Sequence, residues 1–89
     1  MIRLRKVDNW PMFQIVEPGT EPPARVIAMD GQSDDVFRWE ASPKHNDRNL
    51  AIAAARTMTL PCIVRIQRLC SMQTYQVGYG FGMWLLNPV

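Results

Sequence analysis

A chain of 89 residues with a formal charge of +2, 47% apolar and 20% charged, is long enough for one hydrophobic core and too short for two. That balance excludes a disordered polymer, and the longest apolar stretches, residues 50–55 and 81–86, fall short of the ~18–20 residues that cross a bilayer. Arg3, Arg5 and Lys6 run directly into Asp8, Asn9 and Trp10 without the apolar segment of a secretory signal. A single cytoplasmic domain over residues 1–89 is therefore expected.

In chain order, Ile2-Arg3-Leu4-Arg5 alternates apolar and charged residues, the period of a half-buried strand. After Trp10-Pro11, residues 12–17 form a second extended segment, and Pro18-Gly19-Thr20-Glu21-Pro22-Pro23 forms a stiff loop that admits neither helix nor inner strand. Residues 25–29 and 36–41 are strands of a hairpin turned near Asp30-Gly31, where both residues tolerate positive φ. The second of these strands sets Val36, Arg38 and Glu40 against Phe37, Trp39 and Ala41.

Ser42-Pro43 or Asn46-Asp47 then caps a helix over residues 47–58, rich in Leu50, Ala51, Ala53, Ala54, Ala55 and Met58 and stopped by Pro61. Residues 62–69 follow as a strand, with Cys62, Val64 and Ile66 on one face and Ile63, Arg65 and Gln67 on the other. Beyond a loop at 69–74, residues 75–86 read as one long strand. Tyr75, Val77, Tyr79, Phe81, Met83 and Leu85 share one face, and Gln76, Gly78, Gly80, Gly82, Trp84 and Leu86 share the other. Three glycines on one face invite close approach, and the alanine-rich helix is the natural element to lie there. The expected fold class is α+β: a mostly antiparallel sheet of four to six strands, ordered β-β-β-β-α-β-β, with the helix packed on one face.

Charge divides along the chain. Residues 1–6 hold three cations, residues 7–40 hold seven acids against Arg25 and Arg38, and residues 41–89 hold Lys44, Arg48, Arg56, Arg65 and Arg68 against Asp47. Strands from the two halves are expected to interleave and mix these charges. Cys62 and Cys70 lie too far apart along an extended chain to pair, about 26 Å, and are read as buried reduced thiols. His45 and the two cysteines match no zinc spacing, and Asp34-Asp35 reads as a pair of solvated turn acids. The glycines at 78, 80 and 82 precede no helix that would receive a phosphate. No catalytic residue, metal site or cofactor is expected, and the chain is read as a non-enzyme.

Two resemblances bear on function. Gly78-Tyr79-Gly80-Phe81-Gly82-Met83-Trp84 resembles an RNP motif of RNA-recognition domains, in which sheet aromatics stack on bases. Val77 stands where that motif has a basic residue, and Gly82 where it has an aliphatic one. In length, strand order and its one alanine-rich helix, the whole chain is similar to small phage-encoded inhibitor proteins, including anti-CRISPR proteins and inhibitors of host RNA polymerase. This likeness carries over no individual residue. It implies a protein of the host cytoplasm that binds and blocks a bacterial host protein or effector complex. Trp39, Tyr75, Tyr79 and Phe81, with Arg65 and Arg68 as a charged rim, are then the candidate partner-binding residues. A homodimer is a further arrangement of the same chain. The alternative is a small nucleic-acid binder using Arg3, Arg5 and Lys6 with Tyr79 and Phe81 as stacking groups.

Overall fold

The computed structural model describes residues 1–13 and 17–89. Six strands, β1 (Arg5–Lys6), β2 (Ala24–Met29), β3 (Val36–Ala41), β4 (Cys62–Gln67), β5 (Met72–Gly80) and β6 (Met83–Pro88), form one sheet, and the helix α1 (Asp47–Ala55) lies between β3 and β4 in sequence. The sheet order is β1-β3-β2-β4-β5-β6, and every neighbouring pair is antiparallel. This is the expected α+β architecture. Much of the second expected strand, at residues 12–17, lies outside the described residues.

Alternation along each strand builds the core. Ala24, Val26 and Ala28 of β2, Trp39 and Ala41 of β3, Cys62, Val64 and Ile66 of β4 and Val77 of β5 all point to the face that receives α1, and all are buried. From the helix come Leu50, Ala51, Ala54 and Ala55, four residues on one side of a 3.6-residue period. Small residues at the contact bring helix and sheet backbones close, while Leu50, Val26, Val64, Ile66 and Val77 fill the volume. Each fully buried aliphatic side chain contributes about 1.5–3 kcal/mol of transfer free energy. Ile2 and Leu4 from one side of the sheet, and Trp84 and Leu86 from the other, pack against this same core.

The helix begins where Asn46 Oδ1 accepts the Asn49 N–H at 2.8 Å, with Asp47 in the positive first turn. It ends at Ala55, three residues short of the expected 58. There the Thr57 N–H and hydroxyl both donate to the Ala54 carbonyl, at 3.0 and 2.8 Å, and close the chain into a turn.

The long strand expected over residues 75–86 is instead the β5–β6 hairpin. Gly80 pairs with Met83 across a two-residue turn, in which Phe81 (φ 55°) and Gly82 (φ 74°) both occupy the left-handed region, the geometry of a type I′ turn. Such a turn pairs odd with even positions. Tyr79 therefore sits opposite Trp84, and Gly78 opposite Leu85. The glycine row does not seat the helix. Gly78 and Gly80 lie on the face away from α1, with Met83 and Leu85 beside them, whereas Val77 meets the core. The same turn interrupts the stretch that resembles an RNP motif, which requires an unbroken strand.

Candidate interaction surface

Only one face of the sheet carries the helix. The other is composed of Arg5, then Val36, Arg38 and Glu40, then Arg25, Ile27 and Met29, then Ile63, Arg65 and Gln67, then Met72, Thr74, Gln76, Gly78 and Gly80, and finally Met83, Leu85 and Asn87, as the registers require. The lower half of this face is partly roofed by the segment that follows β1. The Arg25 guanidinium lies 5.2 Å from the Trp10 ring and 3.7 Å from Phe13, and that of Arg38 lies 5.9 Å from Trp10. Arg25 also donates to the Pro11 carbonyl. Cation–π stacking thus holds residues 10–13 over Arg25 and Arg38, a contact that no local sequence pattern signals.

Above this roof the face is bare among the described residues. Met29, Val36, Ile63, Met83 and Leu85 are all exposed there, with the flat backbone of Gly78 and Gly80 between Ile63 and Leu85; nothing stands within 4 Å of a side chain added at Gly78. Ile63 and Gln76, with Met29, Asp30, Gly31 and Pro61, also line a shallow cleft of about 280 Å³. Gly31 is required there because a Cβ would run into the Pro61 carbonyl oxygen. β5 continues three residues past its last β4 partner, Cys62 opposite Val77, so residues 78–80 pair with β6 alone. The hairpin tip overhangs the sheet, and at its end Phe81 is 95% exposed.

A phenylalanine in the left-handed region is unusual, because its Cβ crowds the following carbonyl at a cost of roughly 1–2 kcal/mol. Asparagine or glycine would fit this turn position better. The chain retains an aromatic ring at a strained position that is 95% exposed. Tyr79, 57% exposed, stands behind it with its ring edge-on to Trp84 at 5.3 Å. Tyr79 belongs to the helix-bearing face, while Phe81 at the tip and Met29, Val36, Ile63, Met83 and Leu85 on the bare face are exposed apolar groups, with Arg65 on β4 and Asp30, Asp34 and Asp35 in the β2–β3 connection as the charged residues nearest in sequence.

The candidate residues from the sequence divide accordingly. Tyr79, Phe81 and Arg65 are exposed. Trp39 is not a surface anchor: only 8% exposed, it sits in the core stacked on Phe37 at 6.1 Å. Tyr75 packs half-buried against the core. Arg68 is engaged within the fold. Its Nε donates to Asp47 Oδ1 at 3.0 Å, Nη1 to the Pro43 carbonyl at 3.0 Å and Nη2 to the His45 carbonyl at 2.6 Å, tying the end of β4 to the loop that starts α1. Arg5 pairs with Glu40, and the Lys6 ammonium lies 5.7 Å from the Phe37 ring. Both belong to β1, with β3, β2 and β4 between them and the hairpin. The sheet order therefore does not bring Arg5 and Lys6 together with Tyr79 and Phe81, whereas Arg3 precedes β1 and follows Ile2, which lines one cavity with Trp84.

The thiols differ from each other. Cys62 is buried, and burial, then the charge of Asp30, raises its pKa above the ordinary thiol value; it is held as an inert thiol. Cys70 is exposed in the β4–β5 turn, contrary to the expectation of two buried thiols. Among the described residues no group of three or more His, Cys, Asp or Glu could hold a metal ion, and no helix is long and apolar enough to cross a membrane. Because β2 and β3, from the acidic stretch, lie between β1 and β4, the charge division along the chain is mixed in space. No protein-family model matches the chain, and no curated protein or solved structure matches it.

Proposed function

We propose that the protein is a non-enzymatic interaction module that engages a protein partner with the upper, bare half of its sheet and the β5–β6 hairpin tip. The observation that carries this reading is Phe81, a wholly exposed aromatic ring kept in a left-handed backbone conformation. Strain without a packing return points to a role outside the folded chain. Exposed apolar surface rimmed by charge is the usual composition of an interface, and aromatic anchors carry most of the energy at such sites. In the finer form of this proposal the module acts as the phage-type inhibitors do, occluding a bacterial host protein or effector complex without chemistry of its own.

Capture of partners from bacterial lysate by the tagged protein tests this reading, with and without nuclease and at two salt concentrations. Phe81→Ala and Ile63→Glu variants run beside the parent chain. One protein retained through nuclease and high salt, and lost from both variants while their melting temperatures stay near the parent's, is the expected outcome. Retention of nucleic acid that disappears with salt, or of a protein indifferent to both substitutions, refutes it.

A further inference from the structure

The two outermost strands of the sheet are not alike. β1 has two residues, both cationic, whereas β6 has six, Met83–Pro88, with no charge among them. The Val89 N–H donates to the Thr74 carbonyl at 2.9 Å. Because bonded positions alternate along an antiparallel ladder, Met83, Leu85 and Asn87 direct their peptide groups to β5, and Trp84, Leu86 and Pro88 direct theirs outward. Proline thus falls where its missing N–H would have faced away from the sheet. Trp84 and Leu86 offer two donors and two acceptors along an edge that no other strand covers among the described residues.

We infer that this edge pairs with β6 of a second copy of the chain, antiparallel, about a two-fold axis through Leu85. In this register Trp84 lies opposite the partner's Leu86 and Leu86 opposite the partner's Trp84, so four interchain hydrogen bonds satisfy every outward donor and acceptor of both residues. Leu85 meets its own copy on the bare face as a closely spaced, non-bonded pair, apolar on apolar. The register centred on Leu86 is inferior: it sets Leu85 opposite Asn87 and leaves the Trp84 carbonyl facing the ring nitrogen of Pro88. Charge also selects the edge, since β1 against β1 would oppose Arg5 and Lys6 to other cations, while β6 against β6 opposes no charge at all. The axis stands perpendicular to the sheet. Two sheets of six strands become one of twelve, both bare faces lie on the same side, and the apolar surface around Met83 and Leu85 is doubled.

Sedimentation equilibrium of the full chain tests this directly. The parent chain is expected at twice the monomer mass of 10.2 kDa. Leu85→Lys and Leu85→Glu each oppose like charges across the axis and are expected to weaken self-association about tenfold or more, and an equimolar mixture of the two to recover the dimer. Leu85 is exposed, so both variants retain the fold, which circular dichroism verifies. With Cys70→Ser present to remove the exposed thiol, Leu85→Cys is expected to form a covalent dimer on oxidation, and Met83→Cys, set opposite Asn87, is not. A parent chain that remains monomeric at about 100 μM, a Leu85→Lys variant that still dimerises, or equal cross-linking at positions 83 and 85 overturns the proposal.

Discussion

The two faces of the sheet are made from the same strands with opposite results. On the covered face, alternate positions carry Ala24, Val26, Ala28, Cys62, Val64 and Ile66, and all are sealed by a nine-residue helix. On the bare face the intervening positions of β2 and β4 carry Arg25, Ile27, Met29, Ile63 and Arg65, and two of the three apolar ones are exposed. Similar β-branched and aliphatic residues are therefore expected to stabilise the fold on one side and to leave it almost unaffected on the other. Hydrophobic content alone does not distinguish core from interface; what distinguishes them is whether the chain supplies something to cover the face.

Substitutions sharpen this contrast. Leu50→Ala, at the helix contact, is expected to cost about 2–5 kcal/mol in chemical denaturation, whereas Ile63→Ala on the bare face stays within about 0.5 kcal/mol. Equal losses at the two sites would show that the bare face is covered after all. Arg68→Ala, which frees Asp47 and two carbonyls at the start of the helix, is expected to cost about 2 kcal/mol, visible as a lower melting temperature. Phe81→Asn replaces a strained turn residue by the one the turn prefers and is expected to gain about 1 kcal/mol while abolishing partner capture. A variant more stable yet inactive would separate folding from function at one residue. The smallest effect concerns the thiols. At about pH 8 a disulfide reagent should modify Cys70 rapidly, and Cys62, whose raised pKa leaves less thiolate at any given pH, only after denaturant is added.

Most of the fold was legible because period-2 alternation in residues 25–29, 36–41 and 62–67, and the run of helix formers after Asn46, are local signals that packing reinforces. The final hairpin was not, since Gly80-Phe81-Gly82-Met83 lacks the Asn-Gly signature of a type I′ turn and its glycines continue the alternation of a strand. That one misreading reversed the side assigned to every residue after the turn. Of the surface, Tyr79, Phe81 and Arg65 were visible by residue type. Met29, Ile63, Met83 and Leu85 belong to it because the one helix packs on the opposite face of the sheet, which no local pattern reveals. Trp39 and Tyr75 are aromatic residues that suit surface and core alike, and only the register with β2 and β4 sends them inward. The role of Arg68 is hidden for a related reason, since the carbonyls that engage it lie more than twenty residues away in sequence.

The pairing of β2 with β4, Val26 opposite Ile66 and Ala28 opposite Val64, also governs how the molecule assembles. β2 with β3, β4 with β5 and β5 with β6 are neighbours in sequence and can zip locally on a microsecond scale. The β2–β4 ladder joins two such units across the whole helical connection, and its loop-closure entropy must be met before its contacts form. The folding barrier is therefore centred on that seam. Truncation of Val26 or Ile66 should slow folding itself, whereas changes in the overhanging tip should leave the folding rate untouched and register only in how quickly the tip amides exchange with solvent.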